Sequence, residues 1–405
     1  MNSALKNYAA YVNNKIDVYE ISLNQYISTD NILQNKQGIE CAASLPIQGG
    51  KVTAFKKGDI LLANIRPYLK KIWYAQFDGG CSADVLAIRA NAKIDSHFLF
   101  YALFRDDFFI HAMKGSKGTK MPRGDKTQIM EFKIPVFDPQ TQQSITTVLS
   151  ALDKKIALNK QINARLEEMA KTLYDYWFVQ FDFPDTDGKP YKSSGGEMVF
   201  DETLKREIPK GWEVKSLGEI VNFKNGINYS SDDVGDSVSY IVNVRDVSNS
   251  SIFIHEDDLD IVNLQSDKLQ AYQIKENTIL VARSGNPGAT RLLVNTNKLV
   301  VYCGFIIAVE PKESNLLNLL FWFLKNQEER ISDISAGTVL KNVSQDVLKR
   351  GCIVIPDKFI LNKFNEFNRN IFAEISSMIK QNHQLTQLRD FLLPMLMNGQ
   401  VSVAE

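Results

Sequence analysis

Apolar residues along this chain fall into short runs that occur twice, 219 residues apart. The run "ILLA" at 60–63 is matched by "ILVA" at 279–282, and short uninterrupted apolar runs of this kind predict buried strands. Two longer runs, "SHFLFYALF" at 96–104 and "LLNLLFWFL" at 316–324, predict helices that pack in a core. An internal repeat of this length that is present only twice predicts two homologous domains rather than a solenoid.

A matching polar segment closes each copy. "SKGTKMPRGDKTQIMEFKIPV" occupies 116–136, and "SAGTVLKNVSQDVLKRGCIVIP" occupies 335–356. Both begin with Ser-x-Gly-Thr, continue through polar and partly basic residues, and end on Ile-Pro. Because the ends are constant and the middle changes, we expect each segment to be a reading or supporting loop whose ends are structural.

Heptad patterns follow each copy and predict two long helices. Apolar residues recur along a seam from Ile145 in the first helix and from Phe364 in the second, and eight of ten seam positions are apolar in each. The two frames are again 219 residues apart, which favours pairing of the helices with each other. An antiparallel pair that sets Ile145 against Met395 would place Asn159 opposite Gln381. A buried polar layer fixes register in coiled coils, so we predict an antiparallel intramolecular pair with Asn159 near Gln381.

The stretch between the first helix and the second copy differs from both in composition. "FDFPDTDGKPYKSSGGEMVFDETLKREIPKGWE" is rich in Pro, Gly, Ser and charge and has little periodicity, which indicates a linker. The predicted organisation is therefore a first domain at 1–142, its helix at 143–180, a linker at 181–207, a second domain at 208–358 and a second helix at 359–400.

Composition limits the classes of protein to consider. A chain of 405 residues exceeds one ordinary core, and 44% hydrophobic with 23% charged residues is typical of a soluble globular protein. The longest apolar run is far short of the roughly 20 residues of a bilayer span, and no signal-peptide pattern is seen. The four cysteines are far apart without a Cys-x-x-Cys, so we expect a reducing cytoplasm and no zinc site. Because the net charge is zero, binding of nucleic acid would have to rest on local basic patches.

Catalytic motifs are not apparent. The chain has no Gly-x-x-x-x-Gly-Lys-Ser/Thr run, so a P-loop is not predicted. "NPG" at 286–288 lacks the second proline and the aromatic residue of the Asn/Asp-Pro-Pro-Tyr signature of amino-methylating DNA methyltransferases. "PDTDGK" at 184–189 offers two nearby carboxylates in a linker, whereas nuclease folds place them on separate strands, so a solvated turn is the better interpretation. We predict that this chain is not itself an enzyme.

Basic loops remain as the candidate chemistry. Positions 114–126 carry five basic residues against one acid, and three glycines thin the backbone enough to approach a phosphate chain. "NIRPYLKK" at 64–71 adds further positive charge, while the second copy is sparser in basic residues. One scaffold used twice with different loops suits a protein that reads two short base sequences, called words below. The scaffold places the protein on the DNA, while exposed side chains select the bases. The candidate DNA-binding residues are Arg66, Lys70, Lys114, Lys117, Thr119, Lys120, Arg123, Lys126, Arg283, Asn286, Arg291, Lys341 and Asn342.

The whole chain resembles the specificity subunit of type I restriction–modification systems. The resemblance rests on "EEMAKTLYDYWFVQFDFPDTDGKPYKSSGGEMV" at 167–199, "REIPKGWEVKSLGEI" at 206–220, the paired Gly-Thr…Ile-Pro segments, and "QLRDFLLPMLMNGQV" at 387–401. It implies an α+β fold, in which two homologous target recognition domains are separated by two long antiparallel coiled-coil helices.

The same resemblance implies a function and a set of partners. Each recognition domain would read one half of a bipartite DNA target, and the coiled coil would set the spacing and dock two methyltransferase subunits. Motor–nuclease subunits would join to make the restriction enzyme. The chain itself would hold no cofactor, since S-adenosylmethionine, ATP and Mg²⁺ belong to those partners.

Two other classes of function remain open at this point. One is a coiled-coil scaffold that bridges DNA without regard to sequence, whose mark would be a steep dependence of binding on salt. The other is a stand-alone DNA methyltransferase or nuclease with degenerate motifs, which would show turnover without partners.

Overall fold

The chain forms two compact units in a computed structural model that describes residues 2–46, 49–118, 120–229, 235–294, 296–328, 330–331 and 342–403. The first unit comprises Met1–Ala157 together with His383–Glu405, and the second comprises Leu158–Asn382. Each long helix therefore contributes one part to each unit.

Short strands and three short helices precede the long helix in the first unit. The strands are β1 (Asn2–Ala4), β2 (Ala9–Tyr11), β3 (Lys15–Asp17), β4 (Tyr26–Ile27), β5 (Lys51–Phe55), β6 (Ile60–Ala63), β7 (Ile72–Tyr74), β8 (Gly79–Cys81), β9 (Val85–Ala90) and β10 (Lys133–Pro135). The helices are α1 (Ser96–Phe104), α2 (Asp106–Lys114), α3 (Lys126–Met130) and the beginning of α4 (Pro139–Tyr174), with 3-10 turns at Leu5–Asn7, Val18–Glu20, Leu23–Gln25 and Pro67–Leu69.

The described strands of the first unit form three small sheets. β1 pairs with β10, a second sheet has the order β2-β9-β6-β7, and a third has the order β3-β5-β8-β4. β6 is buried along its whole length, as its uninterrupted apolar run predicts. Helix α1 is apolar on most of its surface and packs against this sheet, which explains why its run "SHFLFYALF" shows little amphipathic alternation.

The second unit repeats this plan with additions. Its strands are β11 (Met198–Asp201), β12 (Arg206–Pro209), β13 (Glu213–Ser216), β14 (Val221–Asn225), β15 (Ser237–Val242), β16 (Phe253–Ile254), β17 (Asp260–Leu264), β18 (Ile279–Ala282), β19 (Thr290–Leu293), β20 (Val300–Tyr302), β21 (Ile306–Pro311) and β22 (Cys352–Ile355). Its helices are α5 (Leu217–Ile220), α6 (Val244–Asn249), α7 (Ser266–Tyr272), α8 (Leu317–Asn326), α9 (Gln345–Lys349) and α10 (Lys358–Met397), with a π-helical turn at Asp175–Val179 after α4 and 3-10 turns at Glu256–Asp258 and Ser314–Leu316.

Strand pairing displays the internal repeat. The order β14-β21-β18-β19 corresponds to β2-β9-β6-β7, and β13·β22 corresponds to β1·β10. In the first unit Ile60 lies opposite Ile88, and in the second the equivalent Ile279 lies opposite Val309. The second unit adds β16 to the edge of this sheet. The prediction of two homologous domains built on a repeated buried strand is confirmed.

The stretch predicted to be a linker has an ordered fold in the second unit. β11 and β12 form a hairpin, and Phe183 stacks between Tyr191 and Trp212 with ring centroids 4.6 Å away on both sides. Arg206 donates a 2.8 Å hydrogen bond to the carbonyl of Val179 and lies 4.5 Å from the ring centre of Phe181. Aromatic packing thus orders a segment whose Pro, Gly and Ser content resembles that of a linker.

The two long helices pack along each other within the first unit. Ile145 and Leu149 of α4 share a core with Leu393 and Leu396 of α10. A little further along α4, Asp153 accepts a 2.8 Å hydrogen bond from Arg389 and a 2.7 Å hydrogen bond from the hydroxyl of Tyr101. Burial, reinforced by the charge of Asp153, raises the pKa of the Tyr101 hydroxyl, so that it remains a proton donor.

The second unit contains the other part of the same helical pair. Asn159 donates hydrogen bonds to the side chains of Gln381 at 2.6 Å and Asn382 at 2.9 Å. Near the other end Tyr174 packs on Phe364, with ring centroids 6.3 Å apart. Because residue numbers rise on α4 as they fall on α10, the helices are antiparallel, and this part of the predicted fold class is confirmed. Among the described helices none is long and apolar enough to cross a membrane.

A buried hydrogen bond links α8 to α10 and provides a test of this packing. Asn368 is fully buried, and its side-chain oxygen accepts a 2.7 Å hydrogen bond from the indole nitrogen of Trp322. We expect Asn368→Ala to lower the free energy of unfolding by about 1–3 kcal/mol, because a buried donor loses its acceptor. Asn370→Ala, at an exposed position of the same helix, should change it little. Equal losses in chemical denaturation would contradict this assignment.

Candidate DNA interface

A tight turn after β6 holds the first group of predicted residues. Arg66 and Lys70 both have left-handed backbone conformations, with φ of 52° and 51°, on either side of the 3-10 turn Pro67–Leu69. Non-glycine residues adopt this conformation at a cost of about 1–3 kcal/mol, and only where surrounding contacts require it. The turn leaves Tyr68 half exposed at its tip, while the Nε of Arg66 is buried without a hydrogen-bond partner among the described residues.

Ion pairs tie this turn to helix α2. Asp106 lies 2.7 Å from the amine of Lys36 and 3.0 Å from that of Lys70. Burial alone would raise the pKa of the Asp106 carboxyl, but the bonds from the two lysines hold it below its ordinary value. Beside this contact is an open groove of about 490 Å³ lined by Tyr68, Lys70, Asp106, Phe109, Ile110, Met113 and Lys114. The turn and the end of α2 thus form one surface.

The segment 114–126 docks onto the same turn through backbone hydrogen bonds. Arg66 donates to the carbonyl of Pro122 at 2.7 Å, and Gly124 donates to that of Asn64 at 3.1 Å. Lys117 and Arg123 exchange two backbone bonds of 2.9 Å, which closes the loop between them. Predicted site residue Thr119 lies inside this loop but outside the described residues. The structure therefore brings the two basic stretches of the first unit together.

Basic side chains on this loop are exposed and only partly neutralised. Arg123 lies 2.8 Å from Asp84, and Lys117 lies 3.7 Å from Asp125. Asp125 caps α3, and the hydrogen bond from the backbone of Gln128 is the main cause of its lowered pKa. Surface pairs of this kind contribute about 0–1 kcal/mol, so a phosphate competes with them at little cost.

Three other lysines of this loop have looser surroundings. Lys126 extends over the ring of Tyr11 at 6.0 Å. Lys114 and Lys120 are exposed, and within the described parts of the chain neither has an ion-pair partner. These amines are available to an anionic ligand without breaking a pair.

The equivalent surface of the second unit is less basic. Arg283 follows β18 and donates to the carbonyl of Gly304 at 3.2 Å, while Asn286 is exposed at the tip of the following turn. Asn342 is exposed next to Val343, which donates a 2.9 Å backbone bond to Arg283. Predicted residue Lys341 lies outside the described residues.

Arg291 is placed differently from the other predicted residues. It is only 5% exposed and donates hydrogen bonds of 2.6 Å to the carbonyls of Ser250 and Thr290 and to the carboxylate of Glu328. A guanidinium held in this way reaches DNA only if these bonds break, so its placement indicates a structural role. We therefore leave Arg291 out of the proposed surface.

Side chains that the sequence pattern missed also border the surface. Asp84 pairs with Arg123 because β9 runs beside β6, a neighbourhood that no local motif reveals. Tyr68 is half exposed between two predicted basic residues. The 219-residue offset places Asn64 on Arg283, and this equivalence is a sequence signal that would have drawn attention to Asn64.

Comparison with known proteins gives matches along nearly the whole chain. Residues 4–168 and 209–386 match the family described as type I restriction modification DNA specificity domain. The type I restriction enzyme MjaIX specificity subunit of Methanocaldococcus jannaschii is 30% identical, over 87% of this chain and 79% of that protein. The HindI specificity subunit of Haemophilus influenzae is 28% identical, over 93% and 94%.

A solved structure has the same fold. The S subunit of a type I restriction-modification system from M. genitalium aligns with a TM-score of 0.54 over 98% of this chain and 96% of that chain, at 16% identity. This similarity supports the architecture of two units with two long helices.

The buried ion pair of Arg291 leads to a prediction about stability. Arg291→Ala should lower the free energy of unfolding by about 3 kcal/mol, because removing one partner leaves a partly buried charge uncompensated. Lys325, at 3.6 Å from Glu328, will offset some of the loss. Arg350→Ala removes the same charge at an exposed position of this unit and should have little effect. If Arg291→Ala unfolds like the wild type but binds DNA less tightly, Arg291 belongs to the interface after all.

Proposed function

The chain belongs to the type I restriction modification DNA specificity family, and we propose that each of its two units reads one half of a bipartite DNA target. The DNA-recognition role, without catalysis in this chain, follows from the family. That each unit reads its own half-site is our proposal.

One observation carries this proposal. In both units a loop from the C-terminal side docks on the end of the central strand through the same backbone bond, from Gly124 to Asn64 and from Val343 to Arg283. The frame is repeated, whereas the side chains on it differ in size and charge. A scaffold that keeps its backbone and changes its exposed side chains is suited to reading two different words.

In the first unit the proposed contacts are of two kinds. Lys114, Lys117 and Lys120 are flexible point charges suited to phosphates. Arg123, and Arg66 beside the exposed Tyr68, are suited to base edges, because a guanidinium donates to guanine from two nitrogens. Lys70 and Lys126 complete the basic border of this surface.

In the second unit the proposed contacts are mostly uncharged. Asn286 and Asn342 are exposed amides, and an amide pairs with the major-groove edge of adenine. Arg283 is a described cation beside them, but its guanidinium donates to the carbonyl of Gly304. Because the described candidate residues of this unit include fewer cations than those of the first unit, we infer that the second half-site depends more on base contacts and less on salt.

The helical pair is proposed to set the number of base pairs between the two words. The hydrogen bonds from Asn159 to Gln381 and Asn382 support a role in fixing its register, since a buried polar layer is unfavourable in any other alignment. We also propose that methyltransferase subunits dock on these helices and that motor–nuclease subunits join them. S-adenosylmethionine, ATP and Mg²⁺ would then act in those partners.

A sequence-independent DNA bridge and a stand-alone methyltransferase or nuclease are not favoured. The match to a DNA specificity family covers both copies of the repeat, which a general bridging protein has no reason to share.

Removing the basic tip of the first loop tests the surface of the first unit. We expect Lys120→Ala/Arg123→Ala, assembled with the methyltransferase partner, to weaken binding of the DNA target. Each lost phosphate contact should reduce the slope of log affinity against log salt by about 0.9. Each lost base contact should cost about 1–3 kcal/mol against the preferred word.

The control variant removes the same charge elsewhere. Lys189→Ala/Lys205→Ala replaces two exposed lysines between α4 and β13 and should leave affinity and slope nearly unchanged. The assignment is refuted if the first variant also binds with unchanged affinity and unchanged slope.

Exchange of one unit tests whether the two readers are independent. Replacing residues 1–142 with the same region of a relative should change one half of the methylated sequence and preserve the other, as mapped by sequencing of methylated adenines. A change of both halves together would show that the units do not read separately.

A further inference from the structure

Residue 64 occupies a closed ring of contacts in the first unit. Asn64 donates a 2.8 Å backbone bond to the carbonyl of Asp84 and accepts a 3.1 Å bond from the backbone of Gly124. Arg123, the neighbour of Gly124, completes the ring by pairing with the Asp84 carboxylate at 2.8 Å. The end of β6, the turn before β9 and the basic loop therefore meet at Asn64.

The two backbone bonds of this ring recur in the second unit with different side chains. Arg283 donates a 2.8 Å backbone bond to the carbonyl of Phe305 and accepts a 2.9 Å bond from the backbone of Val343. Its guanidinium donates to the carbonyl of Gly304 at 3.2 Å, so the side chain turns towards the loop before β21. Asn342, the neighbour of Val343, is the exposed residue that corresponds to Arg123.

The residues that donate backbone bonds to positions 64 and 283 also differ between the two units: glycine in the first, Gly124, and valine in the second, Val343. Gly124 does not have a positive φ, so its backbone does not require glycine. A Cβ there would lie 2.8 Å from the Oδ1 of Asn64 and 3.0 Å from the Cδ1 of Ile129, which is too close without a shift. In the second unit, where the arginine is turned towards Gly304, the corresponding residue is Val343, and its side chain is only 3% exposed.

The side chain of Asn64 carries an energetic cost at this position. Its Oδ1 is buried and accepts no hydrogen bond from the described residues. A buried acceptor left in this state costs about 1–3 kcal/mol, and a group of this kind in a native structure requires an explanation.

We propose that residue 64 and its counterpart, residue 283, position the DNA-reading loop of their units. The side chain at each position determines where the loop lies on the end of the central strand. In the first unit, Asn64 and Gly124 together fix the position of the loop that carries Arg123. In the second unit, Arg283 and Val343 together fix the position of the loop that carries Asn342. Residue 64 acts through its neighbour rather than by touching DNA. This inference rests on the proposed function of the two units as separate readers.

A double-mutant cycle in the full-length chain, assembled with its methyltransferase partner, tests the proposal. Gly124→Ala, Asn64→Ala and the combined variant are assayed by sequencing of methylated DNA, which gives the discrimination against single-base changes in each half-site. We expect Gly124→Ala to lower discrimination in the half read by the first unit at least tenfold, because the new Cβ displaces the loop. Asn64→Ala alone should also lower discrimination in this half, because the loop then loses the side chain that positions it. The combined variant should return to within threefold of the wild type, because the added methyl group occupies space that the amide vacates.

The other half-site is the internal control in every variant, and its discrimination should stay within twofold of the wild type. The inference is overturned if Gly124→Ala keeps the wild-type discrimination in the half-site of the first unit. A lower melting temperature alone would show that the contact between Gly124 and Asn64 contributes to stability only. It is equally overturned if the combined variant is no better than Gly124→Ala, or if both halves lose discrimination together. A wild-type complex without any word preference would instead refute the proposed function itself.

Discussion

Backbone hydrogen bonds between the end of a central strand and a distant loop are the constraint on which both candidate surfaces depend. Main-chain donors and acceptors are the same for almost every residue, so the bonds from Gly124 to Asn64 and from Val343 to Arg283 persist although all four side chains differ. A frame of this kind tolerates changes in exposed residues without losing its geometry. Selection can then alter the word that is read while the fold stays the same.

Patterns that depend on neighbours in sequence were predictable, and patterns that depend on distant partners were not. The buried strand Ile60–Ala63 and the two long helices follow from apolar spacing alone, and their repetition at 219 residues revealed the duplication. The sequence groups Arg291 with the surface cations, because its partner Glu328 is 37 residues away and only the folded chain brings it near. Basic residues thus indicate a candidate surface, but burial decides which of them belong to it.

The ordered stretch after α4 illustrates a second limit of sequence patterns. Its Pro, Gly and Ser residues predict irregular backbone, and the backbone is indeed irregular over much of 181–197. Irregular backbone is nevertheless compatible with tight packing when a few large side chains bury their faces. Phe183 between Tyr191 and Trp212 provides such a contact, since aromatic stacking needs no periodicity in sequence. Composition alone therefore does not distinguish a packed segment of this kind, with its hairpin of β11 and β12, from a linker.

A net charge of zero conceals an uneven distribution that matters for DNA recognition. The first unit concentrates Lys114, Lys117, Lys120, Arg123 and Lys126 on one loop, whereas the described candidates Arg283, Asn286 and Asn342 of the second unit include a single cation. Phosphate contacts strengthen binding to any sequence, and base contacts discriminate between sequences. A chain with many cations on its second surface as well would bind non-target DNA more tightly. Its discrimination between target and non-target sequences would not improve. If the proposed surfaces contact DNA, this uneven charge would divide their roles: the basic surface would contribute much of the attraction, and the less basic one mainly selectivity.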